Sequence, residues 1–362
     1  MACITKRRDR WVIDFYDQFG KRHCKTLKKG TIKQAAKDEL RAIEDQVANR
    51  TFLPANKVPT FSKLSQDWLK HKKPYIRITT WEVIEGHVRN HFKELEQYKI
   101  NRITTATIEE FITTRQKQGM NINTLRKILV TLGQIFIYAV RHRYISFNPL
   151  REAERPRGRV KEGDPGKEKM SVLSSGQMKR LLDEAKEQKY KIMFMVAIFC
   201  GLRQGELIGL KWQDIDWENN QIHVQRTFTK GRFFDVKTKT SNRRVDLGPA
   251  VIKELKKWKL ACPKYNLDLV FPSGSGKPIN CSNMVRRHFL PALEAAALPR
   301  IRFHDLRHGY ASLLIEQGEN IKYIQSQLGH SSPTVTLNVY THLMKPTNQE
   351  AARKLENSVL GG

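Results

Sequence analysis

The amino-acid sequence predicts a multidomain protein that is mainly α-helical and contains small β-sheets. Three observations support this fold class. Apolar and polar residues alternate over residues 4–29, as they do in short antiparallel strands. Apolar residues then recur at helical spacing through most of the chain. A charged segment over residues 151–169 contains proline and glycine and almost nothing apolar, which is typical of a linker.

Residues 1–57 are predicted to form three short strands followed by one helix. The alternation includes Trp11 and continues after an expected turn at Gly20. Thr31 and Gln34 have the spacing of a capping box, so we expect the helix to begin at this point. The N-terminal part of the chain therefore reads as a small β-then-α module.

Residues 58–150 are predicted to form a helical domain of four helices. Thr79 and Glu82 have capping-box spacing and are expected to begin one helix. Thr105 can start another helix, and Asn123 precedes a long amphipathic one.

The chain after the linker is predicted to be a mixed α and β domain over residues 170–345, followed by a tail helix over 346–362. The tail carries apolar residues at helical spacing, and we expect it to pack either on a neighbouring protomer or back on its own domain. We expect strands near 222–228, 233–237 and 244–247, and helices near 175–187, 190–200, 249–261, 283–297, 304–317, 320–328 and 333–344.

Positive charge is distributed over the whole chain. The sequence has 65 Lys and Arg against 36 Asp and Glu, a formal net charge of +29. The net charge is +7 for residues 1–57, +8 for 58–150, +2 for 151–169 and +12 for 170–362. Such a surface suits a protein that lies along or wraps around a polyanion, because cationic side chains release the counterions of nucleic-acid phosphates. A basic protein without a nucleic-acid partner is the alternative.

Other classes of protein are disfavoured by composition. The chain has no run of 18 uncharged apolar residues, and its N-terminus lacks the apolar core of a signal peptide, so we expect a cytoplasmic protein. The five cysteines include no CxxC pair, which argues against a disulfide framework and a structural zinc site. We therefore expect reduced thiols at Cys3, Cys24, Cys200, Cys262 and Cys281.

Four segments of the last domain carry residues suited to phosphate chemistry: GLRQGELIGL (201–210), VKTKTSNRRVDL (236–247), FHDLRHGYAS (303–312) and LGHSSPTVTLNVYTH (328–342). An arginine that follows a glycine helix cap can point its planar fork at a phosphate and make two bonds. A histidine and an arginine three residues apart at a helix start share one face. The same segment has the histidine spacing of zinc proteases, but a cation beside the metal would oppose binding.

The order and spacing of these segments resemble the tyrosine recombinases, the family of phage integrases and related site-specific recombinases. The resemblance implies that Arg203 is the first catalytic arginine and that Glu206 supports it. Gly205 departs from the serine that family members often have before this acid. Arg307 corresponds to the second arginine, and His304 to its partner in positioning and proton handling.

The resemblance also assigns the remaining reaction groups. Tyr340 is the implied nucleophile, and His330 is the implied hydrogen-bond donor to the scissile phosphate. Lys237 and Lys239 both lie in a segment that is predicted to form a β-hairpin. One of them is implied as the general acid that protonates the departing 5′-oxygen, and Lys237 aligns slightly better. For each of these residues, an ordinary solvent-exposed or packing role is the alternative.

The implied activity is cleavage and rejoining of DNA through a covalent 3′-phosphotyrosyl link, without ATP, metal or other cofactor. Members of the family clamp double-stranded DNA between the helical and catalytic domains and bind separate arm sites through the N-terminal module. They also assemble as tetramers and act with DNA-bending and directionality proteins. A type IB-like topoisomerase and a catalytically silent DNA-binding protein are the alternatives.

Overall fold

The computed structural model describes residues 2–49, 52, 54, 57–156, 172–236, 239–332, 334 and 349–360. Two compact units, 1–161 and 162–362, make up the chain. The described residues confirm the predicted fold class, since they are mostly helical and contain small antiparallel sheets. Among the described residues, none of the helices has the length and apolar character needed to cross a membrane.

The first unit begins with a three-stranded antiparallel sheet in the order β1-β2-β3. Its apolar face packs against helix α1, where Ile43 meets Ile13 and Phe15, because alternate strand residues point to the same side. The strands and helix are β1 (Cys3–Arg7), β2 (Arg10–Tyr16), β3 (Arg22–Thr26) and α1 (Lys33–Ala48).

The predicted capping box at the start of α1 is wrong. Ile32 is the N-cap residue and makes no side-chain capping bond. The Thr31 hydroxyl instead donates to the Lys28 carbonyl at 2.8 Å. The Thr31 side chain therefore bonds within a local turn instead of capping the helix.

Four helices form the rest of the first unit, as predicted, around an apolar core that includes Phe61, Trp68 and Phe136. Their bounds are α2 (Phe61–Lys72), α3 (Ile78–His91), α4 (Thr105–Lys117) and α5 (Ile122–Arg141).

The starts of these helices confirm one detail of the prediction and correct two. Thr79 lies inside α3, whose N-cap is Arg77 and makes no side-chain capping bond. Thr104 caps α4, which therefore begins at the predicted position. Asn121 caps α5 by accepting from the backbone N–H of Asn123, so the cap lies two residues before the predicted one.

The second unit surrounds helix α7, which is apolar on nearly all sides and packs against α9 and α12. Its helices are α6 (Ser175–Asp183), α7 (Gln188–Cys200), α8 (Gln204–Ile208), α9 (Pro249–Ala261), α10 (Cys281–Met284), α11 (Leu290–Ala295), α12 (Asp305–Glu316) and α13 (Ile321–Leu328). A π-helical segment, Val285–Phe289, joins α10 to α11, which gives the continuous helical region predicted near 283–297.

Two small sheets complete the second unit. Strands β4 (Ile215–Asp216), β5 (Gln221–Val224) and β8 (Arg243–Asp246) form an antiparallel sheet in the order β4-β5-β8. Strands β6 (Arg226–Thr229) and β7 (Arg232–Asp235) form a separate hairpin. The helix predicted at 333–344 lies outside the described residues apart from Thr334, whereas a tail helix is present over Gln349–Leu360.

Candidate active site

Arg203 lies at the junction between α7 and α8. Helix α7 ends at Gly201, whose φ of 58° is left-handed, as expected for a glycine cap. A Cβ at this position would lie 2.4 Å from Cδ1 of Tyr310, so packing also requires glycine. The chain then turns into α8 with Arg203 as an extended N-cap residue. The Arg203 side chain keeps 36% of its surface exposed, so it can meet a ligand.

Glu206 holds Arg203 from within the protein. Its Oε1 accepts from Nη1 of Arg203 at 2.8 Å, and its Oε2 accepts from the Arg203 backbone N–H at 2.8 Å. The second Arg203 nitrogen, Nη2, donates to the Gly329 carbonyl at 3.1 Å. Burial raises the pKa of Glu206, but bonds and charges from Arg243 and Arg203 outweigh it and lower this pKa to about 2. Glu206 is therefore an anion at neutral pH.

Arg243 is a site residue that sequence reasoning did not find. Only 8% of this residue is exposed, and its Nη1 and Nη2 donate to the two oxygens of Glu206 at 3.1 and 2.9 Å. Its Nε donates to the Gln327 carbonyl at 2.6 Å. The signal was available in the strand alternation, because Arg243 and Val245 share the buried face of β8 while Arg244 is exposed.

Arg307 joins the end of α7 to the end of α13. It lies in the first turn of α12, is 3% exposed, and donates from Nη1 to the Gly201 carbonyl at 2.6 Å. Its Nη2 donates to the Leu328 carbonyl. His304 is the N-cap residue of the same helix, so the predicted shared position of His304 and Arg307 at a helix start is observed.

His330 follows the turn that ends α13. Gly329 has a φ of 64° and forms the left-handed cap expected from the sequence. The His330 backbone N–H donates to the Gln325 carbonyl at 3.2 Å, and Nε2 of Gln325 donates to the His330 carbonyl at 3.0 Å. Burial, followed by the positive charges of Arg307, Arg203 and Arg243, lowers the pKa of His330 to about 4. His330 is therefore a neutral imidazole near several cations.

The histidines of the HDLRH segment lie close together. The ring centroids of His304 and His308 are 5.1 Å apart. Asp305 is engaged by Arg302, whose Nη2 donates to Oδ1 at 2.7 Å. Within the described ranges, no group of three or more His, Cys, Asp or Glu side chains is arranged to hold a metal ion.

The structure brings together four of the predicted reaction residues, together with the supporting acid. Arg203 and Arg307 bond to adjacent carbonyls of the turn that carries His330, and His304 interacts with both arginines electrostatically. Lys237 and Tyr340 lie outside the described residues. The backbone of Lys239 begins a 3₁₀ turn, Lys239–Ser241, and its side chain is not described.

Gly205 has a steric explanation. A Cβ at this position would lie 2.4 Å from Oγ1 of Thr227 and 2.9 Å from the carbonyl oxygen of Phe228. The β6-β7 hairpin therefore packs directly on α8 beside the site. This close approach explains why the position holds glycine rather than the serine that family members often have.

The fold and the site together define a class of protein. Two arginine side chains bond to the turn that carries the neutral His330 in a basic, mainly helical chain, and a buried carboxylate holds one of those arginines. Guanidinium groups in this arrangement suit binding of a phosphate and stabilisation of charge during phosphoryl transfer. The class is that of enzymes acting on phosphodiesters.

Comparison with known proteins gives the family. The phage integrase family pattern matches residues 171–346, and the pattern of the phage integrase N-terminal SAM-like domain matches residues 60–116. The tyrosine recombinase XerC-like protein of Caldanaerobacter subterraneus subsp. tengcongensis is 30% identical over 333 residues, covering 82% of this chain and 83% of that protein. The ICEBs1 integrase of Bacillus subtilis is 28% identical over 288 residues, covering 76% of each chain. The chain belongs to the tyrosine recombinase family of phage integrases, whose members are DNA strand-transferring enzymes.

Solved structures share the fold. The Tn1549 transposon integrase, in complex with a circular intermediate DNA, matches with a TM-score of 0.67 and 22% identity, covering 82% of this chain and 99% of that chain. A lambda integrase dimer bound to a COC' core site matches with a TM-score of 0.61 and 18% identity, covering 93% of each chain. These likenesses confirm the predicted architecture.

Proposed function

We propose that this tyrosine recombinase is a site-specific integrase that inserts a phage or mobile element into DNA and also excises it. The observation that carries the proposal is the meeting of Arg203, Arg307 and His330 around the turn that ends α13, next to the ionised Glu206. Relatives named as integrases, including those of ICEBs1 and Staphylococcus phage L54a, support an element-borne role over the topoisomerase and silent alternatives.

The chemistry begins with attack of the Tyr340 phenolic oxygen on a DNA phosphorus. A covalent 3′-phosphotyrosyl bond forms, the bond to the 5′-oxygen breaks, and Lys237 or Lys239 supplies the proton that converts this oxygen to a hydroxyl. A 5′-hydroxyl of a partner strand then attacks the link, which restores the tyrosine and joins the strands. Because one phosphoester replaces another, the exchange proceeds without ATP.

The arginines stabilise the negative charge on the non-bridging oxygens during both steps. Arg203 and Arg307 come from different helices and bond to carbonyls of one turn, so their positions are fixed before DNA arrives. A neutral His330 contributes one N–H donor without adding a positive charge. Such preorganised donors are worth about 10²–10³ in rate each.

The domain arrangement of the proposal follows the sequence. Residues 1–57 bind arm-type DNA sites, 58–150 bind core sites, 151–169 link the domains, 170–345 carry catalysis, and 346–362 form the tail. Structures of a family neighbour on DNA and of a lambda integrase tetramer on a Holliday junction support a DNA partner and a tetrameric assembly. DNA-bending and directionality proteins assist it in the cytoplasm of a bacterial host.

The test is capture of the covalent intermediate. In a duplex nicked just beyond the cleaved bond, the short fragment that carries the new 5′-hydroxyl diffuses away and cannot rejoin. A denaturant-resistant protein–DNA adduct should therefore accumulate. Tyr340→Phe should abolish the adduct, and Tyr323→Phe, which alters a hydroxyl engaged by Asp246, should retain it. Peptide mapping of the adduct should place DNA on Tyr340. An adduct formed by Tyr340→Phe would refute the assignment.

The same substrate identifies the general acid. A sulfur atom in place of the bridging 5′-oxygen makes a leaving group that needs no proton, because thiols have a much lower pKa than alcohols. The variant that removes the general acid, Lys237→Ala or Lys239→Ala, should cleave the oxygen substrate at least about 10²-fold more slowly and recover on the sulfur substrate. Equal loss on both substrates would exclude that lysine from the role.

A further inference from the structure

Arg243 is buried, yet its bonds reach both the carboxylate that holds Arg203 and the end of the helix that precedes His330. We propose that Arg243 is a positioning residue for recombination. It fixes the Arg203 guanidinium group relative to the turn that carries His330. This inference rests on the proposed function and adds to it a residue that acts through others.

The donors of Arg243 divide between two structural elements. Nη1 and Nη2 donate to the carboxylate of Glu206 on α8, at 3.1 and 2.9 Å. Nε donates to the Gln327 carbonyl at the end of α13, at 2.6 Å. Nη1 also lies 3.3 Å from the Ser241 carbonyl on its own segment. A single planar group therefore links α8, β8 and α13.

These bonds form a closed ring with Arg203. Glu206, held by Arg243, accepts two bonds from Arg203, and Arg203 in turn donates to Gly329. Gln327, the other partner of Arg243, is only two residues before Gly329. The position of the Arg203 fork is thus determined twice, through the carboxylate and through the turn.

Packing around the Arg243 stem makes the fit specific. A Cβ at Gly329 would lie 2.8 Å from Cδ of Arg243 and 2.9 Å from the Thr240 carbonyl oxygen, so the turn rests on the stem without space between them. A lysine has one ammonium group and cannot reproduce three donor directions from a planar fork. Substitution by lysine should therefore preserve the charge and lose the geometry.

A stabilising role alone gives a poorer account of this residue. A buried ion pair contributes little net stability compared with a well-packed apolar pair, because both charges lose their hydration. The acceptors of Arg243 are, however, the carboxylate that orients Arg203 and the turn that precedes His330. Loss of Arg243 should therefore displace Arg203 and His330.

The experiment measures the cleavage rate constant at saturating nicked DNA, together with the dissociation constant of the complex. We expect Arg243→Lys and Arg243→Met to lower the rate constant by about 10–10³-fold, because displacing a donor worth about 10²–10³ in rate removes part or all of its contribution. The dissociation constant should change by less than threefold. Arg244→Met is the matched control, because Arg244 is exposed on the opposite strand face and pairs with Asp216. It should keep the rate within twofold.

Two further measurements separate positioning from simple loss of structure. Guanidinium or methylguanidinium ions should restore cleavage by Arg243→Met at least fivefold. The double variant Arg203→Ala/Arg243→Met should lose clearly less rate than the product of the two single losses, because Arg243 acts in part through Arg203. Should Arg243→Met fail to fold, as shown by its thermal transition, Arg243→Lys provides the same comparison with the buried charge retained.

The outcomes distinguish the two levels of the proposal. Failure of the unaltered protein to form a covalent adduct would overturn the proposed function and this inference with it. A normal adduct with unimpaired Arg243 variants, or rate losses that multiply in the double variant, would overturn the positioning role and leave the proposed function standing.

Discussion

Neutral histidines among arginines set the electrostatics of the site. Burial and the charges of Arg307, Arg203 and Arg243 lower the pKa of His330 to about 4. Burial and the charge of His304 lower the pKa of His308 to about 4 as well, against the opposing effect of Asp305. Among the described residues around His330, the positive charge at pH 7 therefore comes from guanidinium groups, whose charge does not vary with pH.

These histidines predict acid-sensitive stability. An unfolded histidine titrates at about pH 6.5, whereas His330 and His308 in the folded chain stay neutral down to about pH 4. Between these values the unfolded state binds more protons, so the free energy of unfolding should fall as the pH falls from 6.5 to 4. A pKa shift of one unit corresponds to about 1.4 kcal/mol in the free energy of unfolding. Because both rings keep partial access to solvent, only a fraction of this is realised. We expect the free energy of unfolding to fall by about 2 kcal/mol for the pair.

Urea unfolding of the full chain at a series of pH values measures this loss. The His308→Gln/His330→Asn variant should show a flatter pH dependence than the unaltered protein over the same range. Equal slopes for the two proteins would contradict the lowered pKa values of His308 and His330.

At the scale of the element, close contact between α8 and the β6-β7 hairpin explains a residue that departs from the family pattern. We predict that Gly205→Ser destabilises the protein by about 1–3 kcal/mol, because overpacking displaces neighbouring groups. The Thr227 hydroxyl could rotate away, but the Phe228 carbonyl belongs to the hairpin backbone and cannot yield without moving the strand. The midpoint of urea unfolding gives the measurement.

Gly176 provides the comparison for this substitution. It lies in α6, and a Cβ there would meet no other atom within 4 Å. Gly176→Ser should therefore leave stability unchanged or raise it by a few tenths of a kcal/mol, because glycine disfavours helix. If both serine variants unfolded at the same denaturant concentration, the steric account of Gly205 would be wrong.

Element starts and ends also show which parts of the fold the sequence could predict. The left-handed caps at Gly201 and Gly329 were predictable because few residues other than glycine adopt that backbone. The cap assigned to Thr31 was wrong because its hydroxyl bonds to the Lys28 carbonyl instead. The cap assigned to Thr79 was wrong because α3 already begins at Ile78. The spacing of apolar residues predicted where helices occur. It did not predict their first residues, because these depend on individual capping hydrogen bonds.

Prediction of the site residues was limited for a similar reason. Arg203, Glu206, His304, Arg307 and His330 occur in short segments whose order the family resemblance makes recognisable. The role of Arg243 depends on the register of β8 against β5 and on the approach of α13, which are contacts between distant parts of the chain. Tyr340 and Lys237 stay predictions, because they lie outside the described residues.

At the scale of the whole molecule, the net charge of +29 is spread over every predicted domain rather than confined to one tail. Each compact unit can therefore contribute phosphate contacts of its own, and binding energy depends on counterions released along an extended stretch of DNA. Electrostatic attraction of this kind is not specific to sequence. Site preference must come from base contacts and DNA shape, whereas the strength of binding comes largely from charge.

This division predicts a steep salt dependence of DNA binding by the full chain. For six or more phosphate contacts, a plot of log affinity against log potassium chloride concentration should have a slope of about −5 or steeper, with a loss of about 10³ between 50 and 200 mM. Random-sequence DNA and attachment-site DNA should show comparable slopes, because the cationic contacts are shared. A slope shallower than about −2 would contradict distributed phosphate binding.

Two substitutions connect that slope to the reaction centre. Arg203→Ala removes an exposed cation proposed to meet a phosphate, so it should make the slope shallower by about one. Arg243→Met removes a cation that is buried against Glu206, so it should leave the slope unchanged while slowing cleavage. Equilibrium binding titrations of both variants at five salt concentrations provide the comparison. A reduced slope for Arg243→Met would mean that its charge acts on DNA directly, and the separation between binding arginines and positioning arginines would no longer hold.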